Sequence, residues 1–294
     1  MSKILRIGVF IPQFKWERMN LHSVNPKDHG IELVSVEIGA DLSSFDAIIH
    51  KFTYQLVDGH AEDVYKIHEY AKNRKNFVVI EPIDHIGIFV DRMVLQNFIN
   101  MNPLPIFAEY VNGYLFDENF TLEAHNLRYP LLIKSVAACG TDASHLIQVI
   151  QSEEQLNEVP RSTNFMVFPF VEHHGVVFKC YSLGEHTVMR SSKSLVLHQA
   201  ERVQFDSQKP LPEGIAGNEV GKDLVNSIEP SLEEIRQISS SLRLATSVNL
   251  IGFDILRRES DGKLCLIDFN YFPCFRGIDD IPGKLAGFIK SKIL

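Results

Sequence analysis

The chain lacks the features that would place it in a membrane, outside the cell or on nucleic acid. No apolar run reaches the ~18 residues that crossing a bilayer requires. Met1-Ser2-Lys3 gives a basic start to the short apolar run Ile4 to Pro12, but no small-residue cleavage site follows. That segment is expected to be a first strand, not a secretion signal. The four cysteines (Cys139, Cys180, Cys265 and Cys274) show no C-x-x-C spacing. Neither a zinc site nor a disulfide framework is indicated, and a reduced, cytoplasmic setting is expected. Positive charge is in deficit: 29 Lys and Arg against 37 Asp and Glu, a net charge of −8. This argues against a general nucleic-acid binder. A polyanionic partner would need a local cationic pocket, which screening over ~8 Å at physiological salt permits. The phosphate-loop pattern G-x-x-x-x-G-K-[ST] is absent, as is a protein-kinase catalytic loop; Asp268-Phe269-Asn270 is not D-F-G. No repeat or low-complexity tract is present.

What remains is ordinary globular composition, 45% hydrophobic and 22% charged over 294 residues. The most informative stretch is Leu250 to Gly277, LIGFDILRRESDGKLCLIDFNYFPCFRG. It reads as a hairpin with strands Phe253 to Arg258 and Lys263 to Asn270, joined through Asp261-Gly262, a strong turn signal between apolar runs. Asp268 and Asn270, two apart, share one face. Asp254 on the partner strand can meet them across the ladder. An all-oxygen set of this kind suits Mg²⁺. An ordinary solvated Asp268 is the alternative, but it sits among Leu264-Cys265-Leu266-Ile267 and Phe269, where isolated charge is costly.

Upstream, residues 3–82 alternate strand and helix signals: strands at Ile4 to Ile11, Ile31 to Ile38, Phe45 to Phe52 and Phe77 to Ile80, with a helix at Asp63 to Asn73. Such alternation implies a parallel α/β domain, whose ligands gather beyond the strands' C-terminal ends. Lys15 and Lys51 both follow strand ends. A helix spans 84–100, with Asp91-Arg92 opening its stronger part. Strands are then expected at Pro105 to Val111, Pro130 to Val136, Ser144 to Ile150 and Phe165 to Val171. A helix from Ser152 lies between the last two. Further strands at Val176 to Leu183 and His186 to Arg190 lead into a loose polar stretch. Its Gly- and Pro-rich part, 199–228, is expected to be a mobile loop. A long helix, Ser231 to Ser247, and a short C-terminal helix complete the chain.

Three further clusters carry chemistry. Lys134, inside an apolar strand and followed by Ala137-Ala138-Cys139-Gly140-Thr141, has the makings of a phosphate grip, or is simply a strand lysine before a turn. The segment Phe168 to Lys179 suits a nucleotide hinge between two modules. His173 and His174 point apart on extended chain, so joint metal chelation is not expected and His173 is expected to meet a phosphate. The run His186 to Lys193 gathers cations and hydroxyls at a strand end, which taken alone reads as an ordinary solvated edge.

In order and spacing these motifs resemble the inositol-tetrakisphosphate 1-kinase (inositol 1,3,4-trisphosphate 5/6-kinase) family of the ATP-grasp fold. The resemblance rests on Ile48-Ile49-His50-Lys51, Asp91-Arg92, Lys134 with Gly140-Thr141 and His145, Val171 to Lys179, and most specifically Gly252-Phe253-Asp254 to Pro273. It implies an α/β (α+β) architecture: a substrate-side parallel domain over 1–90, a central module over 91–172 and a C-terminal module over 173–294, the two modules clasping the nucleotide. It implies ATP contacts from Arg92, Lys134, Gly140, Thr141, Phe170, Val171, Lys179 and Ser194. Mg²⁺ would lie on Asp254, Asp268 and Asn270. An inositol polyphosphate would lie near Lys15, Lys51, His145, His173, Lys179, Arg190, Lys193, Asn270 and Cys274. Lys134, Lys179 and Asp268 would be catalytic. The sequence departs from the family in having Cys139 where His is common, Cys274 where Gly is common, and Phe168-Pro169 where Gln and a polar residue are usual. The expected reaction is γ-phosphoryl transfer from ATP to an inositol polyphosphate by a monomer. The alternatives are an ATP-grasp carboxylate–amine ligase and a nucleotide-binding protein with little catalysis.

Overall fold

The computed structural model describes residues 3–197, 203–212 and 221–294. Strands β1 (Leu5–Phe10), β2 (Ile31–Ser35), β3 (Ala47–His50) and β4 (Val78–Ile80) form a parallel sheet in the order β2-β1-β3-β4. β1 and β3 run apolar without strict alternation because helices and loops cover both faces: Ile7, Val9, Ile48 and Ile49 are all 0% exposed. The intervening helix Ala61–Asn73 turns Val64 and Ile67 inward. Past β4, Asp91 caps the helix Arg92–Met101 by accepting from the amides of Met93 (2.8 Å) and Val94 (3.0 Å).

Ten strands follow: β5 (Ala108–Tyr110), β6 (Tyr114–Phe116), β7 (Leu131–Ser135), β8 (Leu146–Ile150), β9 (Ser162–Pro169), β10 (Val176–Leu183), β11 (His186–Lys193), β12 (Val203–Asp206), β13 (Leu250–Arg257) and β14 (Leu264–Tyr271). They build an antiparallel sheet, β12-β8-β7-β9-β6, and a sheet β11-β10-β13-β14-β5 in which only the β14–β5 pair is parallel. Two strands join a sheet outside their expected segment. β5 precedes residue 172 yet pairs with β14, and β12 follows residue 173 yet pairs with β8. The two modules thus exchange strands across the boundary.

Some elements differ from expectation. The segment between 111 and 130 contains β6, a three-residue strand too short to register as a pattern. Strand β8 starts at Leu146, after a 3₁₀ turn over Asp142–His145. The expected mobile stretch 199–228 holds β12 and the helix Lys222–Ile228. Residues 199–202 and 213–220 of it lie outside the described residues. The C-terminal helix, Ile281–Ile293, is 13 residues long.

The long helix Leu232–Thr246 starts at a capping box, Ser231 with Glu234, and buries Ile235, Ile238 and Leu242 at helical spacing. Truncating Ile238, 1% exposed, to Ala should cost about 2–5 kcal/mol. One continuous core joins the parallel sheet to the β10–β13–β14 sheet. Phe89 is the bridge, with its ring 5.1 Å from Phe269 and 5.7 Å from Tyr271.

The β13–β14 turn forms at Asp261-Gly262, with Gly262 at φ 73°, a conformation a side chain would strain. Between the strands the register slips: Asp254 faces Asp268, but Ile255 faces Leu266. Ile267 is therefore the extra residue of a β-bulge. The slip lets Leu266 and Phe269, three apart, both reach the main core. It also turns Ile267 and the Asp268 carboxylate away from that core.

Candidate active site

A cleft of about 540 Å³ opens between the two antiparallel modules. Its walls are mostly apolar: Val111, Leu132, Ile147 and Phe168 to Val171 meet Leu195, Phe205, Leu211, Leu256 and Ile267. Lys134, Lys179, Lys193, Ser194 and Asp254 supply most of its polarity. An apolar slot with a few convergent charged groups is the ordinary form of a small-molecule site.

At one end, Asp254 and Asp268 stand opposite each other across β13 and β14. Asn270, two residues on, donates through Nδ2 to Asp268 Oδ2. Lys179, opposite Asp254 on the other side, reaches its Oδ2 at 2.7 Å. Burial lifts the Asp254 pKa; Lys179 opposes this, and the Asp268 charge adds to it. Burial works to lower Lys179, but the ion pair outweighs it and leaves its pKa raised. Lys134 is pushed down to about 8, by burial first, with Asp268 opposing and Arg92 adding. Its Nζ makes one long hydrogen bond, 3.4 Å, to the Ile267 carbonyl on the bulge. No cluster of three His, Cys, Asp or Glu suited to a metal occurs among the described residues. The oxygen set here is two carboxylates and an amide. It fits Mg²⁺, which takes one or two carboxylates and completes its shell with water and phosphate.

Just beyond β14 lies a second cationic cluster. Lys15 Nζ donates to the Phe272 carbonyl at 2.8 Å and approaches Cys274 Sγ at 3.7 Å. Lys51 donates to the carbonyls of Tyr271 (2.5 Å) and Phe272 (3.4 Å). Burial pushes the Lys51 pKa down to about 7; the charge of Lys15 adds to this, and Cys139 and Cys274 oppose it. Lys15 is lowered too, by burial first. Cys139 hangs from the Thr53 carbonyl at 3.6 Å.

Six expected site residues are placed differently. Arg92 does not line the cleft. Its guanidinium donates to the carbonyls of Ser135 (2.7 Å), Ala137 (2.6 Å) and Ser144 (2.9 Å), clamping the loop after β7. Gly140 and Thr141, on that loop, also stand outside the cleft walls. Gly140 (φ 85°) instead abuts Val57, which a Cβ would approach to 3.1 Å. His173 has both ring nitrogens engaged internally. Nδ1 lies 2.6 Å from the Val171 carbonyl, which only an N–H can approach, so Nε2 accepts from the Ser194 hydroxyl at 2.8 Å. The expected phosphate contact gives way to a tie that fixes the hinge to the end of β11. His145 packs beside Gln208, 3.0 Å from Nε2, next to β12. Arg190 lies opposite Lys179 and folds over Gly277, whose missing Cβ leaves it room. Two further residues bear on the site. Phe168, expected in the hinge, lies under Lys134. Tyr110, which no local pattern marks, feels the charge of Asp268.

The family model described as the inositol 1,3,4-trisphosphate 5/6-kinase ATP-grasp domain matches residues 117–291. The inositol-tetrakisphosphate 1-kinase of Danio rerio is 26% identical over 313 residues, covering 97% of this chain and 78% of that protein. The enzyme of that name from Xenopus laevis is 25% identical with the same coverage. Inositol-tetrakisphosphate 1-kinase 1 of Zea mays is 33% identical over 167 residues, 53% of this chain and 47% of that one. Among solved structures, D-alanine–D-alanine ligase from Bacillus anthracis superimposes with a TM-score of 0.61 at 11% identity, covering 99% of this chain and 97% of the ligase. The RimK domain ATP-grasp protein of Sphaerobacter thermophilus gives 0.56 at 12%, covering 97% and 99%. These two likenesses speak to the fold alone. The chain has an ATP-grasp fold and belongs to the inositol 1,3,4-trisphosphate 5/6-kinase family.

Proposed function

We propose that the protein transfers the γ-phosphoryl group of ATP to a hydroxyl of an inositol polyphosphate. The observation that carries this reading is the reach of one strand. β14 carries Asp268 and Asn270 beside Asp254, which lines the cleft, and leads to the Tyr271 and Phe272 carbonyls that hold Lys51 and Lys15. A carboxylate site and a two-lysine site thus lie a few residues apart on one chain segment, as a phosphate donor and a polyanionic acceptor require.

The apolar slot takes the base, with hinge residues Phe170 and Val171 at its side. Pro169 has no amide to donate, and the Val171 carbonyl already accepts from His173, so the Val171 amide is the hinge donor. Lys134 and Lys179 meet the phosphates. Asp254, Asp268 and Asn270 would hold Mg²⁺, which when bound would neutralise phosphate charge. Lys179 then exchanges its ion pair with Asp254 for phosphate. Lys15 and Lys51 hold the acceptor's phosphates and orient a hydroxyl in line. Cys139 and Cys274 flank these lysines and offer no charge, so this part of the site recognises the acceptor through lysine alone. A loose transition state needs little prior deprotonation of the hydroxyl.

The test is turnover of ATP with Mg²⁺ over a panel of inositol tris-, tetrakis- and pentakisphosphates, with products resolved by anion exchange. A more highly phosphorylated peak is expected. ATP binding with no such peak would contradict the reading. A hydroxamate trapped by hydroxylamine from a carboxylate substrate would replace it with a ligase.

A further inference from the structure

Leu132 on β7 lies opposite Phe168 on β9. Lys134, two residues along β7, therefore leans diagonally over the Phe168 ring, within reach of a long side chain. Its Nζ sits 5.0 Å from the ring centroid. The ring is 4% exposed and backed by Gly113, one residue before the Tyr114–Val167 pair. A Cβ on Gly113 would fall 2.5 Å from the ring carbons. Gly113 is gripped in turn by Gln96, 6% exposed, whose Nε2 donates to the Gly113 carbonyl at 2.9 Å. The Gly113 amide returns a bond to Gln96 Oε1 at 2.6 Å. A buried amide thus holds a glycine, the glycine seats a ring, and the ring carries an ammonium group whose hydrogen bond to Ile267 is long.

We infer that Phe168 is a positioning residue for Lys134, its ring face holding the ammonium at the phosphate end of the cleft. An ammonium desolvated over an aromatic face is held by the ring quadrupole. The inference rests on the reading that Lys134 meets ATP phosphates.

The test is calorimetric binding of ATP and of adenosine to the full chain and to Phe168→Leu, Gly113→Ala and Lys134→Met, each checked for folding by thermal unfolding. Leucine keeps the apolar volume without the ring face; alanine at 113 drives the ring off its seat. Both should weaken ATP by about threefold to thirtyfold and weaken adenosine clearly less, and Lys134→Met should weaken ATP at least as much as either. If Lys134→Met weakens ATP but neither of the other variants does, Phe168 does not position it. If Phe168→Leu weakens ATP and adenosine equally, the ring only shapes the base slot and the inference fails. If Lys134→Met leaves ATP binding intact, the phosphate role of Lys134 fails, and the inference with it.

Discussion

Lys15 and Lys51 place their ammonium nitrogens on one carbonyl oxygen, that of Phe272, at 2.8 and 3.4 Å. Lys15 lies on the short helix Gln13–Arg18 that follows β1, and Lys51 directly follows β3, so both come from a different sheet from the β14 segment they grip. Burial lowers both pKa values, and the charge of Lys15 lowers that of Lys51 further. The pair makes sense as a site waiting for negative charge.

This has a consequence for stability. Folding lowers the Lys51 pKa from 10.5 to about 7. Between those values the unfolded chain binds the proton that the folded chain has lost, so stability rises with pH across that window. Below about pH 7 the lysine is charged in both states, and burying that charge costs the folded protein. Lys51→Met removes the titration. Its melting temperature should exceed that of wild type by a margin that shrinks from pH 6.5 to pH 9. A margin independent of pH would contradict the assignment.

Binding should run the same titration backwards. A bound polyanion favours the charged lysine, so binding above about pH 7 should take up a proton. An inositol polysulfate, which does not titrate near neutrality, isolates the protein's share. Calorimetry at pH 8 in buffers of different ionisation enthalpy should show uptake in wild type and less in Lys51→Arg. Equal uptake in both would place the proton elsewhere.

Arg92 anchors three carbonyls of the loop after β7. Arg92→Ala leaves those groups without a charged donor and should cost on the order of 2–3 kcal/mol. Arg92→Lys should recover only part of this, since a point charge cannot reproduce the planar fork. Denaturant unfolding of both variants checks this. A loss under ~0.5 kcal/mol for alanine would mean the clamp is not structural.

Much of this architecture was legible in the sequence, for identifiable reasons. The hairpin announced itself through Asp261-Gly262, and Asp268 through its place in an apolar run. Lys15 and Lys51 were visible as cations following strand ends. The bulge at Ile267 was not, because alternation assumes one register along a strand. Arg92 read as a ligand-binding cation because its carbonyl partners lie 43 to 52 residues away and carry no side-chain signature. His173 is a similar case: its partners in the fold are the Val171 carbonyl two residues back and a hydroxyl 21 residues on, which no local pattern marks. β12 pairs with β8 through only four residues inside a polar stretch, and the alternation of Val203 and Phe205 was its only trace.

The most direct test follows a radiolabelled γ-phosphate from ATP onto inositol trisphosphate, in wild type and in Asp268→Asn. Asparagine keeps the shape and hydrogen bonding of Asp268 while removing one of two facing carboxylates, so the fold should survive with an unchanged or higher melting temperature. Label should appear in a more anionic inositol phosphate with wild type and be lost by at least a hundredfold in the variant. Equal transfer by both proteins, or no transfer by wild type to any inositol phosphate, would contradict a kinase built on the Asp254–Asp268 site.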